Sequence, residues 1–275
     1  MGHFDISVSR LGGVLLTLAL MALVTFAIAA AYSNLGLGGG LMYVPALIII
    51  AGMGKDSAVA ASLVLVLAGA LAALYQHRKA GNVDFRLVGY LSAGSCAGAV
   101  AGTIFNLSIG ESTFRWLFLA VVVGLCAWMA VDLYLGIRPD CDDDSRMCTQ
   151  YIGAAVVVSV FAGFLSGAFG IGGGAIMVPT LIYLLCRHVK LAVGTSAATI
   201  VPTSAVGVAM YFLGGSGQLE SSVWLTVAVL APIAFAGAFI GTRAGIARLT
   251  GKQIKVAFLA LTVLVAVVMV AELLL

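Results

Sequence analysis

Gly36-Leu-Gly-Gly-Gly-Leu-Met-Tyr-Val-Pro45 has a related copy in the second half of this chain. Its second copy, Gly170-Ile-Gly-Gly-Gly-Ala-Ile-Met-Val-Pro179, aligns without gaps and is identical at six of ten positions. Three consecutive glycines make a helical backbone easy to unwind and leave it without side-chain bulk. Both copies lie within strongly apolar sequence, so the pattern predicts two breaks in buried helical structure. The proline near the end of each copy is expected in about the first turn of a short helix, where its missing donor matters least.

The composition around these motifs identifies the class of protein. Of 275 residues, 62% are hydrophobic and 9% are charged, and the mean hydropathy is +1.16. A soluble domain has about a quarter charged residues, so a soluble enzyme, a disordered chain and a nucleic-acid binder are excluded. Strands are not expected, because the apolar runs lack period-two alternation and open sheet edges are not tolerated in lipid. The sequence predicts an all-α polytopic membrane protein.

Ten apolar segments follow one another, and a hydrophilic linker at 138–150 separates them into repeats spanning 1–137 and 151–275. Five crossings in each repeat would make the second repeat enter the membrane from the opposite side, as an inverted repeat. The second segment of each repeat is short, and whether it crosses fully or re-enters stays open. The segments are 11–33, 41–53, 56–75, 87–108 and 114–137, then 151–169, 175–186, 191–213, 221–242 and 254–275.

The placement of lysine and arginine favours ten crossings. These residues concentrate on the cytoplasmic side of membrane proteins. With the N-terminus outside, eleven of them lie in cytoplasmic loops, and only Arg10, Lys55 and Arg115 lie outside. With eight crossings, at best eight of the lysines and arginines would lie on the cytoplasmic side and six on the other. The sequence therefore predicts a multi-pass protein of the plasma or inner membrane in the inverted arrangement.

The glycine runs are the strongest candidate binding site. Amides freed at the start of a short helix form an electropositive, donor-rich end that suits an anion. Two such ends, related by the duplication, would form one anion site near the membrane midplane; the alternative is that the glycines only permit close helix packing. The candidate substrate-binding residues are Gly38, Gly39, Gly40, Gly172, Gly173 and Gly174 through their amides, and Asn34, Ser62, Thr195 and Ser196 through their side chains.

Each side-chain donor also has a structural interpretation. The hydroxyls of Ser62, Thr195 and Ser196 could bond back to carbonyls of their own helices. Asn34 could cap the broken helix. The sequence does not separate these roles from substrate binding.

Other glycines recur every four residues, at Gly94, Gly98 and Gly102 and again at Gly237, Gly241 and Gly245. Such stripes predict close helix contacts. The contacts could lie within one chain or join two copies in a homo-oligomer.

Enzyme, cofactor and metal signatures are not expected from the sequence. Gly54-Lys55 and Gly251-Lys252 are not followed by serine or threonine, so there is no phosphate-binding loop for a nucleotide. The three histidines are far apart and lack metal-ligand spacing. No nucleophile and base converge, and we therefore predict neither enzyme activity nor a bound cofactor.

These residues resemble the sulfite exporter TauE/SafE family over essentially the whole chain. The resemblance rests on the doubled glycine-proline motif, on Val193-Gly-Thr-Ser196 and on the turn from His77 to Asp84. It implies a secondary transporter that exports small sulfur-containing anions such as sulfite or organosulfonates. One departure is Ala60-Ala-Ser62, which stands where the second repeat has Gly194-Thr-Ser196. A non-transporting membrane subunit that docks a partner, and an anion channel, remain alternatives.

Overall fold

The computed structural model describes residues 2–135, 151–214 and 221–248, and five single positions between 256 and 270. Within these residues the regular structure is helical and no strand occurs. The helices are α1 (Gly2–Ser33), α2 (Gly40–Ile49), α3 (Lys55–Lys79), α4 (Phe85–Ser108), α5 (Glu111–Leu135), α6 (Ile152–Phe169), α7 (Gly174–Pro179, continued by a π-helical turn, Thr180–Leu184), α8 (Val189–Leu213) and α9 (Ser221–Arg248).

Seven of these helices are long and apolar enough to cross a membrane, which confirms the all-helical polytopic prediction. The two that are too short, α2 and α7, lie where the sequence predicted short second segments. The predicted linker at 138–150 lies outside the described residues. Of the predicted tenth segment, 254–275, only five separate positions are described, and all five are helical and exposed.

The glycine runs break the helices, as the sequence predicted. We call residues 34–39, between α1 and α2, the first glycine loop, and residues 170–173, between α6 and α7, the second glycine loop. Each loop has three residues with left-handed backbone, a conformation that disfavours side chains by roughly 1–2 kcal/mol. Their φ angles are +67°, +73° and +85° at Gly36, Gly38 and Gly39, and +68°, +88° and +74° at Gly170, Gly172 and Gly173.

The two prolines lie one turn later than the sequence predicted. Pro45 and Pro179 are each the sixth residue of their helix, beyond the first turn. A proline at this depth removes one helical hydrogen bond. After Pro179 the chain widens into a π-helical turn, and the Leu185 amide donates to the Thr180 carbonyl 3.3 Å away. The helix therefore continues past the proline in a wider form.

The glycine stripes form close helix contacts within the chain. In the pair α4 and α6, a β-carbon built on Gly98 would lie 1.9 Å from the Val160 carbonyl oxygen. In the pair α1 and α9, a β-carbon on Gly241 would lie 2.2 Å from the Ala30 carbonyl oxygen. Both stripes are thus covered by a neighbouring helix of the same chain. This packing leaves the stripes no room for a homo-oligomer contact, and a contact between copies would need another surface.

The bundle has two ends, named here by the residues that mark them. At the Lys55 end, α3 begins and α4 finishes; at the Asp84 end, α3 finishes and α4 begins. The start of α8 lies at the Asp84 end, because Arg187 Nη2 is 3.3 Å from Asp84 Oδ2. The finish of α8 lies at the Lys55 end, where Asn106 Nδ2 donates to the Tyr211 hydroxyl. Both ends therefore join residues from the two halves of the chain.

Candidate functional site

The two glycine loops meet inside the bundle. A β-carbon on Gly40, the first residue of α2, would lie 2.0 Å from the Gly170 carbonyl oxygen. A β-carbon on Gly174, the first residue of α7, would lie 2.3 Å from the Gly36 carbonyl oxygen. Each short helix therefore starts directly against the loop of the other half, an approach that only glycine permits. The structure brings the six predicted glycines together.

Two serines, one in α3 and one in α8, each bond to the glycine loop of the opposite repeat. Ser62 Oγ donates to the Gly170 carbonyl at 2.9 Å, and Ser196 Oγ donates to the Gly36 carbonyl at 2.9 Å. Both side chains are fully buried. The sequence suggested bonds either to substrate or to carbonyls of their own helices. In the described structure each hydroxyl instead holds the backbone of the opposite repeat's glycine loop.

Four carbonyls of the two loops accept hydrogen bonds, whereas several amides donate none. Those of Gly36 and Gly170 accept from the serine hydroxyls. The Gly39 carbonyl accepts from the amides of residues 42 and 43, and the Gly173 carbonyl accepts from those of residues 176 and 177. Within the described ranges, the amides of residues 38–41 and 172–175 donate no hydrogen bond. Buried amides in folded proteins are nearly always paired. Two sets of free donors thus meet at one place, which suits a ligand that only accepts hydrogen bonds.

Apolar side chains surround these amides. A β-carbon on Gly38 or on Gly172 would lie 2.8 Å from the same atom, Val66 Cγ1, and close to Ile200 at 3.6 Å and 3.7 Å. Val66 in α3 and Ile200 in α8 occupy equivalent positions in the two repeats, because the distance between them along the chain equals the distance between the two glycine motifs. Sequence reasoning missed both, because an apolar residue in an apolar helix gives no signal of its own. In such low-dielectric surroundings, hydrogen bonds to an anion are strengthened.

The other two predicted donors point elsewhere. Asn34 Nδ2 donates to the Ala30 carbonyl at 2.8 Å, so this side chain caps the last turn of α1. Thr195 Oγ1 accepts from the Asp84 amide at 3.1 Å, near the Asp84 end of the bundle. The structure therefore does not turn these side chains toward the free amides.

One polar connection was missed by sequence reasoning. Lys55 Nζ lies 2.8 Å from the Asn106 carbonyl oxygen and 2.9 Å from Asp56 Oδ1. Asn106 Nδ2 donates to the Tyr211 hydroxyl, which donates to the Gly167 carbonyl at 3.1 Å. A chain of hydrogen bonds thus runs from a mostly buried ammonium group to the last turn of α6, just before the second glycine loop. The sequence did contain one indication of it: Asn106 is a single polar amide in the apolar run of α4, and a polar residue there usually has a specific partner.

Removing either serine hydroxyl is expected to destabilise the ligand-free protein. Ser62→Ala and Ser196→Ala each leave a buried glycine carbonyl without its partner, which costs about 1–3 kcal/mol. The measurement is the thermal unfolding midpoint of the detergent-purified protein. Ser108→Ala is the matched control, because the Ser108 hydroxyl is exposed and bonds only to its own helix. If Ser62→Ala unfolds at the same temperature as Ser108→Ala, the proposed stabilising bond between α3 and the second glycine loop is wrong.

A family profile and several relatives with similar sequences all point to membrane transporters. The profile of the family described as Sulfite exporter TauE/SafE matches residues 14–269. A "probable membrane transporter protein YunE" from Bacillus subtilis is 28% identical over 227 residues, covering 76% of this chain and 81% of the relative. The "probable membrane transporter protein MJ0441" of Methanocaldococcus jannaschii is 26% identical, covering 80% of each chain. A "probable membrane transporter protein" of Haemophilus influenzae is 41% identical over 101 residues, covering 33% of this chain and 35% of the relative. No solved structure matches the chain.

Proposed function

Because the chain belongs to the TauE/SafE sulfite exporter family, we propose that it is a secondary transporter that exports small sulfur-containing oxyanions, such as sulfite or organosulfonates. Membership of this family, together with seven helices among the described residues that are able to span a bilayer, makes it a multi-pass membrane transporter of the plasma membrane. The substrate class and the binding site are our proposal. They rest on the resemblance to the family and on the chemistry of the glycine loops.

The observation that carries the site is the pair of free amide sets at residues 38–41 and 172–175. Each set lies at the start of a helix, where the aligned peptide dipoles favour negative charge. The first helix is α2, and the second is α7 with its π-helical continuation to Leu184. In this proposal, the oxyanion accepts hydrogen bonds from both sets at once. The serine hydroxyls hold the two loops in register and can turn toward substrate when the loops separate.

Helix directions support an inverted repeat. Successive residues of α4 face successive residues of α6, with Gly98 against Val160 and Gly102 against Phe164, so these two helices run parallel. Gly237 against Phe26 and Gly241 against Ala30 give the same direction for α1 and α9. Phe239, late in α9, stacks on Tyr75, late in α3, so α9 ends at the Asp84 end and starts at the Lys55 end. Since α4 starts at the Asp84 end, α6 and α1 start at opposite ends. The first helices of the two repeats would therefore enter the membrane from opposite sides.

This arrangement supplies a way to alternate access. At the Asp84 end, Asp84 of the first repeat pairs with Arg187 of the second. At the Lys55 end, Asn106 of the first repeat pairs with Tyr211 of the second. Rocking of one repeat against the other would open one end by separating its pair while the other pair stays closed. The anion site lies between these two connections.

The basic residues suggest the orientation of the chain in the membrane. Within the described ranges, the Lys55 end has Arg10, Lys55 and Arg115, whereas most of the basic residues are at the Asp84 end. The positive-inside rule then places the Asp84 end in the cytoplasm. The basic residues at or near that end are Arg78, Lys79, Arg86, Arg187, Lys190, Arg243 and Arg248.

Uptake by proteoliposomes tests the function. We expect the purified chain alone to give saturable flux of sulfite or of a small organosulfonate, and none of a cation of similar size. Flux that rises linearly with concentration would indicate a channel instead. No flux of any sulfur oxyanion from correctly folded protein would contradict the proposal and favour a subunit that docks a partner.

A further inference from the structure

A groove between α3 and α9 opens at the Asp84 end of the bundle. It encloses a cavity of about 380 Å³. Its walls are the last two turns of α3 and the facing turns of α9. The lining residues are Tyr75, Gln76, Lys79, Ala80, Phe239 and Arg243. None of these residues belongs to the glycine loops or to the chain of hydrogen bonds from Lys55.

Both walls repeat one pattern, an aromatic ring followed four residues later by a cation. On α3 this is Tyr75 and Lys79, and on α9 it is Phe239 and Arg243, preceded by Phe235. Residues four apart lie on one face of a helix. The Tyr75 and Phe239 rings stack across the groove with centroids 6.0 Å apart, and Phe235 and Phe239 stack at 6.3 Å. The groove thus has an aromatic part toward the membrane interior and a cationic part toward the end of the bundle.

The aromatic part faces the lipid. Tyr75 is 57% exposed and Phe235 is 42% exposed, and both lie in helices long and apolar enough to span a membrane. Exposed surface on such helices contacts acyl chains at depth and headgroups near the ends. The groove therefore opens sideways into the bilayer at the level where acyl chain and headgroup meet.

The cationic part has no counterion of its own in the described ranges. Three other described cations have one: Lys55 pairs with Asp56, Arg115 with Glu111, and Arg187 with Asp84. No described carboxylate lies within 4.0 Å of Lys79 or Arg243. Two uncompensated cations on facing walls attract an anion, and basic pockets between helices near the cytoplasmic surface bind lipid headgroups.

The matching place at the other end of the bundle lacks these features. By the spacing of the repeats, Leu213 stands where α3 has Lys79, and Ile104 stands where α9 has Arg243. Both are exposed, at 79% and 56%. The corresponding surface between α4 and α8 is therefore apolar and offers nothing to a charged headgroup. Any selectivity for anionic lipid would belong to the Asp84 end alone.

We propose that the groove binds one anionic phospholipid. Its phosphate lies between Lys79 and Arg243, and Gln76 donates a hydrogen bond to a phosphate or glycerol oxygen. One acyl chain runs along Phe235 and Phe239. A small sulfur oxyanion would leave this aromatic wall uncovered, so the occupant is the lipid and not the transported anion. The proposal does not depend on the proposed transport function.

Native mass spectrometry of the full chain tests the proposal, with phosphatidylglycerol as the probe and phosphatidylcholine as the neutral competitor. We expect the wild type to retain one phosphatidylglycerol in preference to phosphatidylcholine. Lys79→Gln with Arg243→Gln is expected to lower that preference by about tenfold or more, because each basic residue near the membrane surface strengthens anionic binding severalfold. Both side chains are exposed, so the substitutions leave the packed core intact.

Two controls decide between the outcomes. Arg78→Gln with Arg86→Gln removes the same charge from the same end of the bundle and is expected to leave the preference intact. If this control lowers the preference equally, the attraction is a property of the whole surface and the groove site is wrong. Inorganic phosphate or sulfite at millimolar concentration is not expected to displace the lipid. Displacement by either ion would mean that the groove takes soluble anions, and it would overturn the proposal.

Discussion

Gly172→Leu is expected to abolish anion flux while the protein remains folded and inserted in the membrane. The φ angle of Gly172 is +88°, and a β-carbon there would lie 2.8 Å from Val66 Cγ1. A leucine would therefore strain the second glycine loop and fill the space that its free amides face. Gly39→Leu is expected to act in the same way on the first loop, where φ is +85° and the Tyr43 ring lies 2.9 Å from the added carbon. The measurement is initial flux in proteoliposomes at matched protein content.

Matched glycines separate blockage of the site from backbone strain. Gly52 and Gly81 have φ angles of +64° and +72°, but a β-carbon on either would have no neighbour within 4 Å. Gly52→Leu and Gly81→Leu therefore add the same kind of strain outside the loops, and we expect flux to persist. Equal losses in all four variants would attribute the effect to strain alone. Undiminished flux in Gly172→Leu and Gly39→Leu would refute the assignment of the site.

Gly98→Val is expected to unfold the protein or to lower its thermal stability strongly. The added β-carbon would lie 1.9 Å from the Val160 carbonyl oxygen, 2.8 Å from that carbonyl carbon and 2.8 Å from the Phe164 amide nitrogen. These are backbone atoms, which cannot rotate away as a side chain can. Overpacking typically costs about 1–3 kcal/mol, and we expect that range or more because α4 and α6 must separate along their length.

Gly89→Val on the same helix is the matched control. A β-carbon on Gly89 has no neighbour within 4 Å, so the variant tests valine in α4 without the collision. The comparison is the thermal midpoint of the two purified variants and the fraction that survives extraction in monodisperse form. Equal stability of Gly98→Val and Gly89→Val would mean that α4 and α6 do not cross as closely as these distances require.

The sequence predicted the structure best where a run or a regular spacing of glycines has one simple physical cause. Three successive glycines inside an apolar run predicted the two helix breaks, and the structure has a left-handed backbone at three positions of each loop. The four-residue glycine stripes predicted close helix contacts. They could not identify the partner helix, because a glycine stripe indicates only that some backbone packs closely against it. The structure identifies that partner as a helix of the same chain.

The hydroxyls show where sequence reasoning reaches its limit. The sequence predicted Ser62 and Ser196 as substrate donors, and that role stays a prediction; in the structure their hydroxyls bond to carbonyls 108 and 160 residues away in the chain. A serine in a membrane helix has several acceptors within reach, and only tertiary structure chooses among them. For the same reason, the sequence did not predict the chain of hydrogen bonds that links Lys55 to Tyr211 through Asn106. The groove between α3 and α9 depends on which two helices lie side by side, a fact that no local pattern encodes.

An anomalous diffraction experiment on crystals grown with selenite, the selenium analogue of sulfite, would test the central proposal most directly. The preparation should first be seen to transport selenite in proteoliposomes. We predict one selenium peak between the two short helices, within hydrogen-bonding distance of amides in both 38–41 and 172–175, and its loss in Gly172→Leu. A transport-competent preparation whose selenium peak lies anywhere else would contradict the account.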